Sequence, residues 1–405
     1  MSIQQNFPAI SPSLNLNFAR SKTLDPRITF SRTSTATRVN EQGLVEVVSA
    51  DIPRFDHEYD SSTGVIKSLG LLVEEQRSNL VPYSLVFNNT TYWVKFNTFT
   101  ITPNYDTAPD GTTTASRIVT NGTTSNNRIE QTISTGITTN TTYDFSLYIK
   151  KNGTASSGRI RLDILNSSGD LLDASNFSVS DNWEKVDVSG SSGTGSSIKI
   201  RIRESTDSSA AIDALIWGAQ LEAGAFPTSY IPTSGSTATR NRDTVSMTGD
   251  NFSDWYNQSE GSFYMNIRNI QQQPTGSAYT RLIDLRGTPT GDNYYLLAIV
   301  PNGRAIYNEM FSNGSSQLNY SATYPVPNSP TGIVKITTGL QQNNFIAYNF
   351  ASQFLSDTSS VTLPILNTLY IGRDQNGGSQ INGHISKLTY YPTRLSNDQL
   401  QNLTK

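Results

Sequence analysis

Apolar and polar residues alternate along much of this chain with a period of two. Because successive side chains of a β-strand point to opposite faces, each such segment can bury one face and expose the other. The clearest runs have these apolar members: Tyr143, Phe145, Leu147 and Ile149; Ile160, Leu162 and Ile164; Ile198, Ile200 and Ile202; Phe263, Met265 and Ile267. Clusters of Gly, Ser and Asn separate the runs, as at 166–170 and 190–197. Many short strands with such turns predict an all-β fold of antiparallel, jelly-roll-type β-sandwiches.

A helical signature stands out at the C-terminus. Ser396 can cap a helix, and Gln399 follows three residues later, as in a capping box. Leu395 and Leu400 take the two positions of a hydrophobic staple around that cap. The pattern therefore predicts one short C-terminal helix, with Leu400 and Leu403 packed on the body of the protein.

Turn-rich stretches divide the 405 residues into blocks. We predict four parts: an N-terminal module over 1–84, a β-sandwich over 85–232, a linker over 233–244 and a second β-sandwich over 245–405. The motif Ser-Thr-Ala-Thr-Arg occurs at 34–38 and again at 236–240, which indicates similar connector roles. No fixed period runs through the chain, so a solenoid is not indicated.

Composition excludes several classes of protein. Aromatic residues are 10% and charged residues 16%, whereas a disordered chain has few aromatics and many charges. The net charge of −3 offers no basic field for a nucleic-acid backbone, and 0 Cys leaves no disulfide or thiolate site. No stretch approaches the roughly 20 apolar residues of a membrane span, and the N-terminus does not resemble a signal peptide. We therefore expect neither a nucleic acid nor a membrane as partner.

Catalytic motifs are missing from the sequence. The chain has 2 His and 0 Cys, and it contains no G-x-S-x-G elbow, P-loop or H-E-x-x-H motif. His57 lies in an acidic run and is interpreted as a solvated loop residue, and His384 as a structural one. A glycosidase needs two carboxylates facing one sugar bond, about 5–10 Å apart, and nothing singles out a pair among the 33 Asp and Glu. The expectation is a protein without enzyme activity.

Glycan binding requires flat aromatic faces beside hydrogen-bonding groups, because sugar C–H faces stack on rings while hydroxyls need partners. Tyr92 and Trp93 lie near a predicted domain edge and are candidates for such a surface. Tyr148 is a further candidate, since it is out of phase with the core residues of its strand. Core packing is the favoured interpretation for every tryptophan, Trp93 included.

The N-terminal block resembles a module of phage virion proteins of the head-spike or tail-fibre type. The matching runs are LNLNFAR at 14–20, LDPRITFSR at 24–32, STATR at 34–38, PRFD at 53–56 and GLLVEEQRSNL at 70–80. The resemblance covers about the first 84 residues and implies attachment to a virus particle. A virion protein is assembled in the cytoplasm of the host bacterium, which reconciles a surface-like composition with the absence of an export signal.

The two sandwich blocks also resemble known families. WGAQLE at 217–222 and FPTSYIP at 226–232 resemble a carbohydrate-binding-module-type jelly roll of phage fibres. LYIGR at 369–373 and GHISKLTYY at 383–391, followed by the capped helix, resemble a concanavalin A-like, laminin-G-type sandwich. Many domains of this second type bind glycans, and others only fill an assembly.

The jelly-roll resemblance also implies a candidate metal ligand. Such modules often hold a structural calcium ion near the chain ends of the sandwich, and Asp213 resembles a ligand position there. Calcium takes six to eight oxygen ligands, and here Ala214 follows Asp213 where the usual pattern has a second acid. No other cofactor is expected.

These features together predict a non-enzymatic virion protein: a tail fibre, spike or head decoration that presents β-sandwiches to host-surface polysaccharide. Other virion proteins are the expected partners. Because single sites of this kind bind weakly, several copies would supply avidity, and a symmetric homo-oligomer, first of all a homotrimer, is expected. Two alternatives stay open, a purely structural capsid or tail cement protein and a polysaccharide depolymerase.

Overall fold

A computed structural model describes residues 7–122, 127–153, 158–205, 211–268, 270–271, 279–301, 305–323 and 332–405. Over these residues the first strands in chain order are β1 (Leu14–Leu16), β2 (Thr29–Ser31), β3 (Ala36–Val39), β4 (Val45–Val48), β5 (Arg54–Asp60), β6 (Val65–Val73), β7 (Arg77–Asn79), β8 (Val94–Phe96), β9 (Thr100–Asp106), β10 (Ala115–Val119), β11 (Arg128–Ile133), β12 (Thr142–Lys151), β13 (Arg159–Leu165), β14 (Leu171–Ser178), β15 (Glu184–Ser191), β16 (Ile198–Glu204), β17 (Asp213–Ala223) and β18 (Ala238–Arg240). The remaining elements are β19 (Thr244–Thr248), α1 (Asp250–Ser253), β20 (Glu260–Arg268), β21 (Thr280–Arg286), β22 (Tyr294–Ile299), β23 (Ala305–Ser312), β24 (Ser315–Thr323), β25 (Ile333–Gln341), β26 (Phe345–Asn349), β27 (Ser352–Asp357), β28 (Thr368–Ile371), β29 (Gly383–Tyr391) and α2 (Asn397–Leu403).

The predicted all-β fold with a short C-terminal helix is confirmed. The capping box at α2 forms as predicted, because the Ser396 side chain accepts from the Gln399 backbone and the Gln399 side chain accepts from the Ser396 backbone. Leu395 and Leu400 are 4% and 0% exposed, so the staple is buried. No helix in the described part of the chain is long and apolar enough to cross a membrane.

The chain divides into two compact units that do not follow its sequence order. The terminal unit comprises Met1–Thr33, Val48–Glu75 and Asn241–Lys405, and the central unit comprises Ser34–Val47 and Gln76–Arg240. The stretch 1–84, which the sequence predicts as a module of its own, thus contributes to both units. The two copies of Ser-Thr-Ala-Thr-Arg fall at two of the crossings, one opening the central unit and the other closing it.

The terminal unit contains two antiparallel sheets. One has the strand order β27-β26-β25-β20-β29-β6-β5, with β1 also paired to β29, and the other has the order β2-β19-β28-β21-β22-β23-β24. Side chains from both sheets form one buried core, in which Leu14, Met265, Leu285 and Ile371 are all 0% exposed. Burying each such side chain contributes roughly 1.5–3 kcal/mol. The N-terminal strands β1, β2, β5 and β6 therefore belong to the same sandwich as the strands that follow residue 240.

A buried charge network also joins the N-terminal strands to the rest of the terminal unit. The Arg54 guanidinium donates to Glu74 Oε2 at 2.7 Å and to Asp243 Oδ2 at 2.5 Å, and Arg32 Nη1 lies 3.0 Å from Asp243 Oδ1. All four side chains are at most 6% exposed. Burial opposes the charge on Arg54, but the two carboxylates outweigh it and raise its pKa. Such a buried network is tolerated because each charged side chain in it has a partner of opposite charge.

The central unit is a second sandwich, of two five-stranded antiparallel sheets with the orders β15-β12-β17-β10-β9 and β14-β13-β16-β11-β8. The alternation predicted its core faces correctly: Tyr143, Phe145, Leu147 and Ile149 of β12 are at most 1% exposed. Two small strand pairs, β3 with β4 and β7 with β18, complete the unit. The strand β18 lies within 233–244, the predicted linker, and pairs in register from Ala238 opposite Asn79.

Candidate binding cleft

A polar cleft of about 370 Å³ opens at one edge of the larger sheet of the terminal unit. Three sources build it: the end of β25 with the turn into β26, the end of β27, and the segment that leads into α2. Ile346 and Leu395 form its apolar floor and are 2% and 4% exposed. A cavity of this size is in the usual range for binding a small ligand or a short piece of a polymer.

Arg394 supplies the only formal charge among the described residues that line this cleft. Its Nη2 donates to Asn344 Oδ1 at 3.2 Å and to Asn397 Oδ1 at 2.8 Å, and its Nη1 donates to the Leu395 carbonyl oxygen. Burial lowers the pKa of Arg394, and the nearby Tyr348 opposes that shift. Among the described residues, the partners that hold the guanidinium in place are therefore all neutral oxygens.

The backbone that carries Arg394 is fixed to the sheet. The Arg394 amide donates to Glu260 Oε2 at 3.0 Å, and the Leu395 amide donates to Ser262 Oγ at 2.9 Å. Gly339 makes room for the side chain, since a Cβ there would lie 2.9 Å from both Cδ and Nε of Arg394. These contacts place the guanidinium at a set position before any ligand arrives.

The rest of the lining offers neutral hydrogen-bonding groups. Gln341, Ser356 and Thr358 are exposed on the rim, and the side chain of Asn397 also lines the cleft. Amides and hydroxyls of this kind can donate to and accept from sugar hydroxyls. No Asp or Glu belongs to the described lining of the cleft.

The aromatic residues that the sequence suggested lie in the central unit rather than at this cleft. Trp93 is 1% exposed and packs 5.5 Å from the Phe87 ring centroid, so its ring faces contact protein, which agrees with the core-packing interpretation. Tyr92 is half-buried, with its ring 4.8 Å from that of Tyr83. Trp93 is therefore too buried to serve as a stacking surface for a sugar, whereas part of the Tyr92 side chain remains accessible to solvent.

Tyr148 points away from the main core of its sandwich, as its phase predicted. Its ring packs edge-on against Trp217 at 5.5 Å between centroids, and Lys185 Nζ lies 5.8 Å from its centroid. Tyr148 is half-buried in a small separate cluster with Trp217 and Tyr230. Its position is therefore a packed outer face rather than an open groove.

Asp213, the calcium candidate, is bonded to protein donors. Its Oδ1 accepts from Arg117 Nε and Asn152 Nδ2, each at 2.8 Å, and its Oδ2 accepts from Arg117 Nη2 at 2.5 Å. The hydrogen bond from Arg117 lowers the pKa of this carboxyl group. Within the described ranges, no group of three or more His, Cys, Asp or Glu residues is placed to hold a metal ion.

The two histidines are both in strands. His57 is 8% exposed in β5, so its interpretation as a solvated loop residue is wrong. The register of β5 against β6 shifts between Asp56 and His57, and both residues are buried. His384 Nε2 lies 2.7 Å from Asp56 Oδ2 and is 7% exposed, which fits a structural role.

The central unit holds a further cluster of carboxyl groups that the sequence did not indicate. Asp144 is 0% exposed and lies among Asp187, Glu222 and Lys185. Burial, followed by the negative charges of Asp187 and Glu222, raises the pKa of Asp144 to about 9. Asp144 and Glu222 are closed off from solvent, whereas Asp187 is exposed, so the cluster extends from the covered face of the strand to the surface of the unit.

Comparisons with known proteins give similarity of structure over part of the chain. No protein-family model matches the sequence, and no curated protein matches it. The CBM40 of a Ruminococcus gnavus IT-sialidase is 12% identical with a TM-score of 0.31, over 37% of this chain and 84% of that one. The CBM22-1 xylan-binding domain of Paenibacillus barcinonensis Xyn10C is 18% identical with a TM-score of 0.28, over 36% and 92%. The binding domain of Botulinum neurotoxin DC, in complex with rat synaptotagmin II, is 13% identical with a TM-score of 0.32, over 40% of each chain. These neighbours are β-structured binding domains, and each is similar to less than half of this chain.

Proposed function

We propose that this chain is a non-enzymatic structural and adhesive protein of a bacteriophage particle, a tail fibre, spike or head decoration, that binds host-surface polysaccharide. The observation that carries the binding function is the cleft beside Arg394, with its neutral polar rim and apolar floor. The virion assignment rests on the resemblance of residues 14–80 to phage head-spike and tail-fibre proteins.

The make-up of the cleft supports a sugar as ligand. A sugar ring needs hydrogen-bond partners around its edge and an apolar contact for its C–H face. Gln341, Ser356 and Thr358 offer such hydrogen-bond partners on the rim, and the small exposed parts of Ile346 and Leu395 offer a limited apolar contact in place of an aromatic ring.

The described lining also favours binding over hydrolysis. An enzyme of the depolymerase kind needs an acid and a second carboxylate at the sugar bond, and no described residue of the cleft supplies either. In the central unit, Asp144 and Glu222 are each 0% exposed and are therefore closed to a polymer. A single shallow site binds weakly, so a symmetric homo-oligomer, a trimer in the simplest case, would raise the overall affinity through avidity.

The test uses the full chain on an array of bacterial polysaccharides. Binding is expected, and Ser356→Trp, which fills the rim of the cleft, should weaken it at least about tenfold, equivalent to about 1.4 kcal/mol. Ser316→Trp is the matched control, because Ser316 is an equally exposed serine on the other sheet of the same unit. It should leave binding unchanged.

Two outcomes would overturn the proposal. Failure to bind any polysaccharide, together with a tight contact to a major capsid or tail protein, would establish the cement alternative. Sustained release of reducing sugar ends during incubation with host capsule, lost on a single Asp or Glu substitution, would establish the depolymerase alternative.

A further inference from the structure

The charge of Arg394 has no carboxylate partner among the residues that the structure describes. The side chains of Arg117 and Arg286 each make a two-point ion pair, with Asp213 and Asp284. The guanidinium of Arg394, by contrast, is bonded to one carbonyl oxygen and two amide oxygens. Neutral oxygens hold its orientation but leave its charge uncompensated.

The carboxylates of the acidic residues near Arg394 interact with groups other than its guanidinium. Glu260 accepts a hydrogen bond from the backbone amide of Arg394 and not from its guanidinium. The carboxylate of Asp357 accepts from the backbone and hydroxyl of Ser359. Asp398 acts on the pKa of Tyr348, and no carboxylate contributes to the pKa of Arg394. The cleft thus holds one cation, and none of its described neighbours supplies a carboxylate to neutralise it.

Partial burial makes this arrangement unfavourable in the free protein. A charge taken from water without an opposite charge loses solvation, which is why burial lowers the pKa of Arg394. An anion that enters the cleft would restore the lost electrostatic stabilisation. A guanidinium suits a carboxylate, since charge-assisted hydrogen bonds between the two are about twice as strong as neutral ones and the planar fork of the guanidinium matches the two carboxylate oxygens.

We propose that the cleft selects acidic sugars, meaning polysaccharide units that carry a carboxylate, and that Arg394 is the residue that recognises the carboxylate. This inference rests on the proposed function of the cleft in polysaccharide binding. The amides of Gln341 and Asn397 and the hydroxyls of Ser356 and Thr358 then bind the neutral hydroxyls of the same unit. Arg394 thus determines the preference for a negatively charged sugar, and the neutral rim residues determine which arrangement of sugar hydroxyls is bound.

The experiment compares acidic bacterial polysaccharides with their carboxyl-reduced forms, which have the same linkages but no charge. We expect the full chain to bind the acidic forms about tenfold more tightly at low salt, a ratio that corresponds to about 1.4 kcal/mol. The ratio should shrink at about 1 M salt, where the Debye length falls to about 3 Å. Arg394→Gln should reduce the affinity for each acidic form to that of its reduced counterpart.

Two further variants keep the result interpretable. Arg394→Lys retains the charge without the planar fork and should keep part of the preference. Arg20→Gln removes an exposed arginine of the same unit and should keep all of it. Circular dichroism and thermal unfolding of each variant establish that the fold is intact.

The outcomes separate this inference from the proposed function. Equal binding of acidic and reduced polysaccharides, or a preference that survives Arg394→Gln in a folded protein, would overturn the acidic-sugar inference and leave polysaccharide binding standing. No binding to either form would overturn both.

Discussion

Asp144 lies directly opposite Glu222 in the pairing of β12 with β17, and both residues are 0% exposed. Glu222 is well bonded, because Oε2 accepts from the Thr228 amide at 2.9 Å and from Gln220 Nε2 at 2.7 Å. The carboxyl oxygens of Asp144 receive no hydrogen bond from a described residue. Glu222 therefore has hydrogen-bond donors suited to a carboxylate, whereas burial and the neighbouring negative charges raise the pKa of Asp144.

The stability of the central unit should consequently depend on pH. Burial raises the pKa of Asp144 from 3.8 to about 9. The folded state therefore binds a proton that the unfolded state releases, and the stability from this group is complete below pH 3.8 and lost progressively up to about pH 9. Over that window one proton corresponds to a slope of about 1.4 kcal/mol per pH unit.

The side chain of Asn does not titrate, so Asp144→Asn should make the free energy of unfolding depend less on pH between about pH 4 and 9. The variant should therefore be more stable than the original protein at pH 8. Urea unfolding followed by tryptophan fluorescence at several pH values measures it, since Trp93, Trp183 and Trp217 belong to the central unit. Asp181→Asn is the control, because the Asp181 side chain is 86% exposed. An unchanged pH profile in Asp144→Asn would show that Asp144 is ionised in the folded protein.

The burial of Asp144 is a feature that the sequence pattern could not predict. Alternation correctly put Phe145 and Leu147 in the core and Asp144 on the other face. That face is covered, because the segment after β17 folds back and Thr228 is bonded to both Glu222 and Lys185. A period of two identifies the two faces of a strand but carries no information on which distant segment covers the second face.

The buried network around Arg54 should contribute strongly to the stability of the terminal unit. Arg54→Met would leave the carboxylates of Glu74 and Asp243 buried without this partner, and breaking such a pair costs about 3–5 kcal/mol. Arg27→Met is the control: Arg27 pairs with Asp25, but the two side chains are 30% and 22% exposed, so about 1 kcal/mol or less is expected. Chemical denaturation of the full chain measures both. Equal losses would mean that the network is no stronger than a surface pair.

The close approach of β6 to β29 at Gly70 gives a test of the shared sheet. Gly70 has φ +106°, and a Cβ there would lie 2.3 Å from the Ile385 carbonyl oxygen. Gly70→Ala should therefore cost about 3 kcal/mol or more, since strain and a backbone clash combine. Gly64→Ala shares the positive φ, at +70°, but meets only Tyr59 Oη at 4.0 Å, so about 1–2 kcal/mol is expected.

Hydrogen exchange distinguishes the two glycine variants. Faster exchange of the β29 amides in Gly70→Ala, but not in Gly64→Ala, would show that the N-terminal strands stabilise the C-terminal sheet. Unchanged β29 exchange in Gly70→Ala would mean that residues 54–73 fold independently of it.

The location of the cleft could not be predicted from the sequence, although several of its parts could. The capping box at Ser396 and the staple of Leu395 with Leu400 are local patterns and were predicted correctly. Arg394 stands one residue before them with no motif of its own. Its neighbours Asn344, in the turn between β25 and β26, and Ser356, in β27, come from earlier in the chain. They reach Arg394 because β20 pairs with both β25 and β29, and such long-range pairing is tertiary structure.

The cap at Ser396 should affect both stability and binding, because it fixes the first turn of α2 beside the cleft. Ser396 Oγ accepts from the Gln399 amide at 3.3 Å, and its loss in Ser396→Ala should cost about 1 kcal/mol. Asn397, whose Oδ1 accepts from Arg394, lies in that turn, so affinity for polysaccharide should fall as well. Ser396→Thr keeps a capping hydroxyl and should restore both properties. Denaturant unfolding and binding measured on the same samples test the link, and a destabilised Ser396→Ala protein with full affinity would show that the cap does not position the cleft.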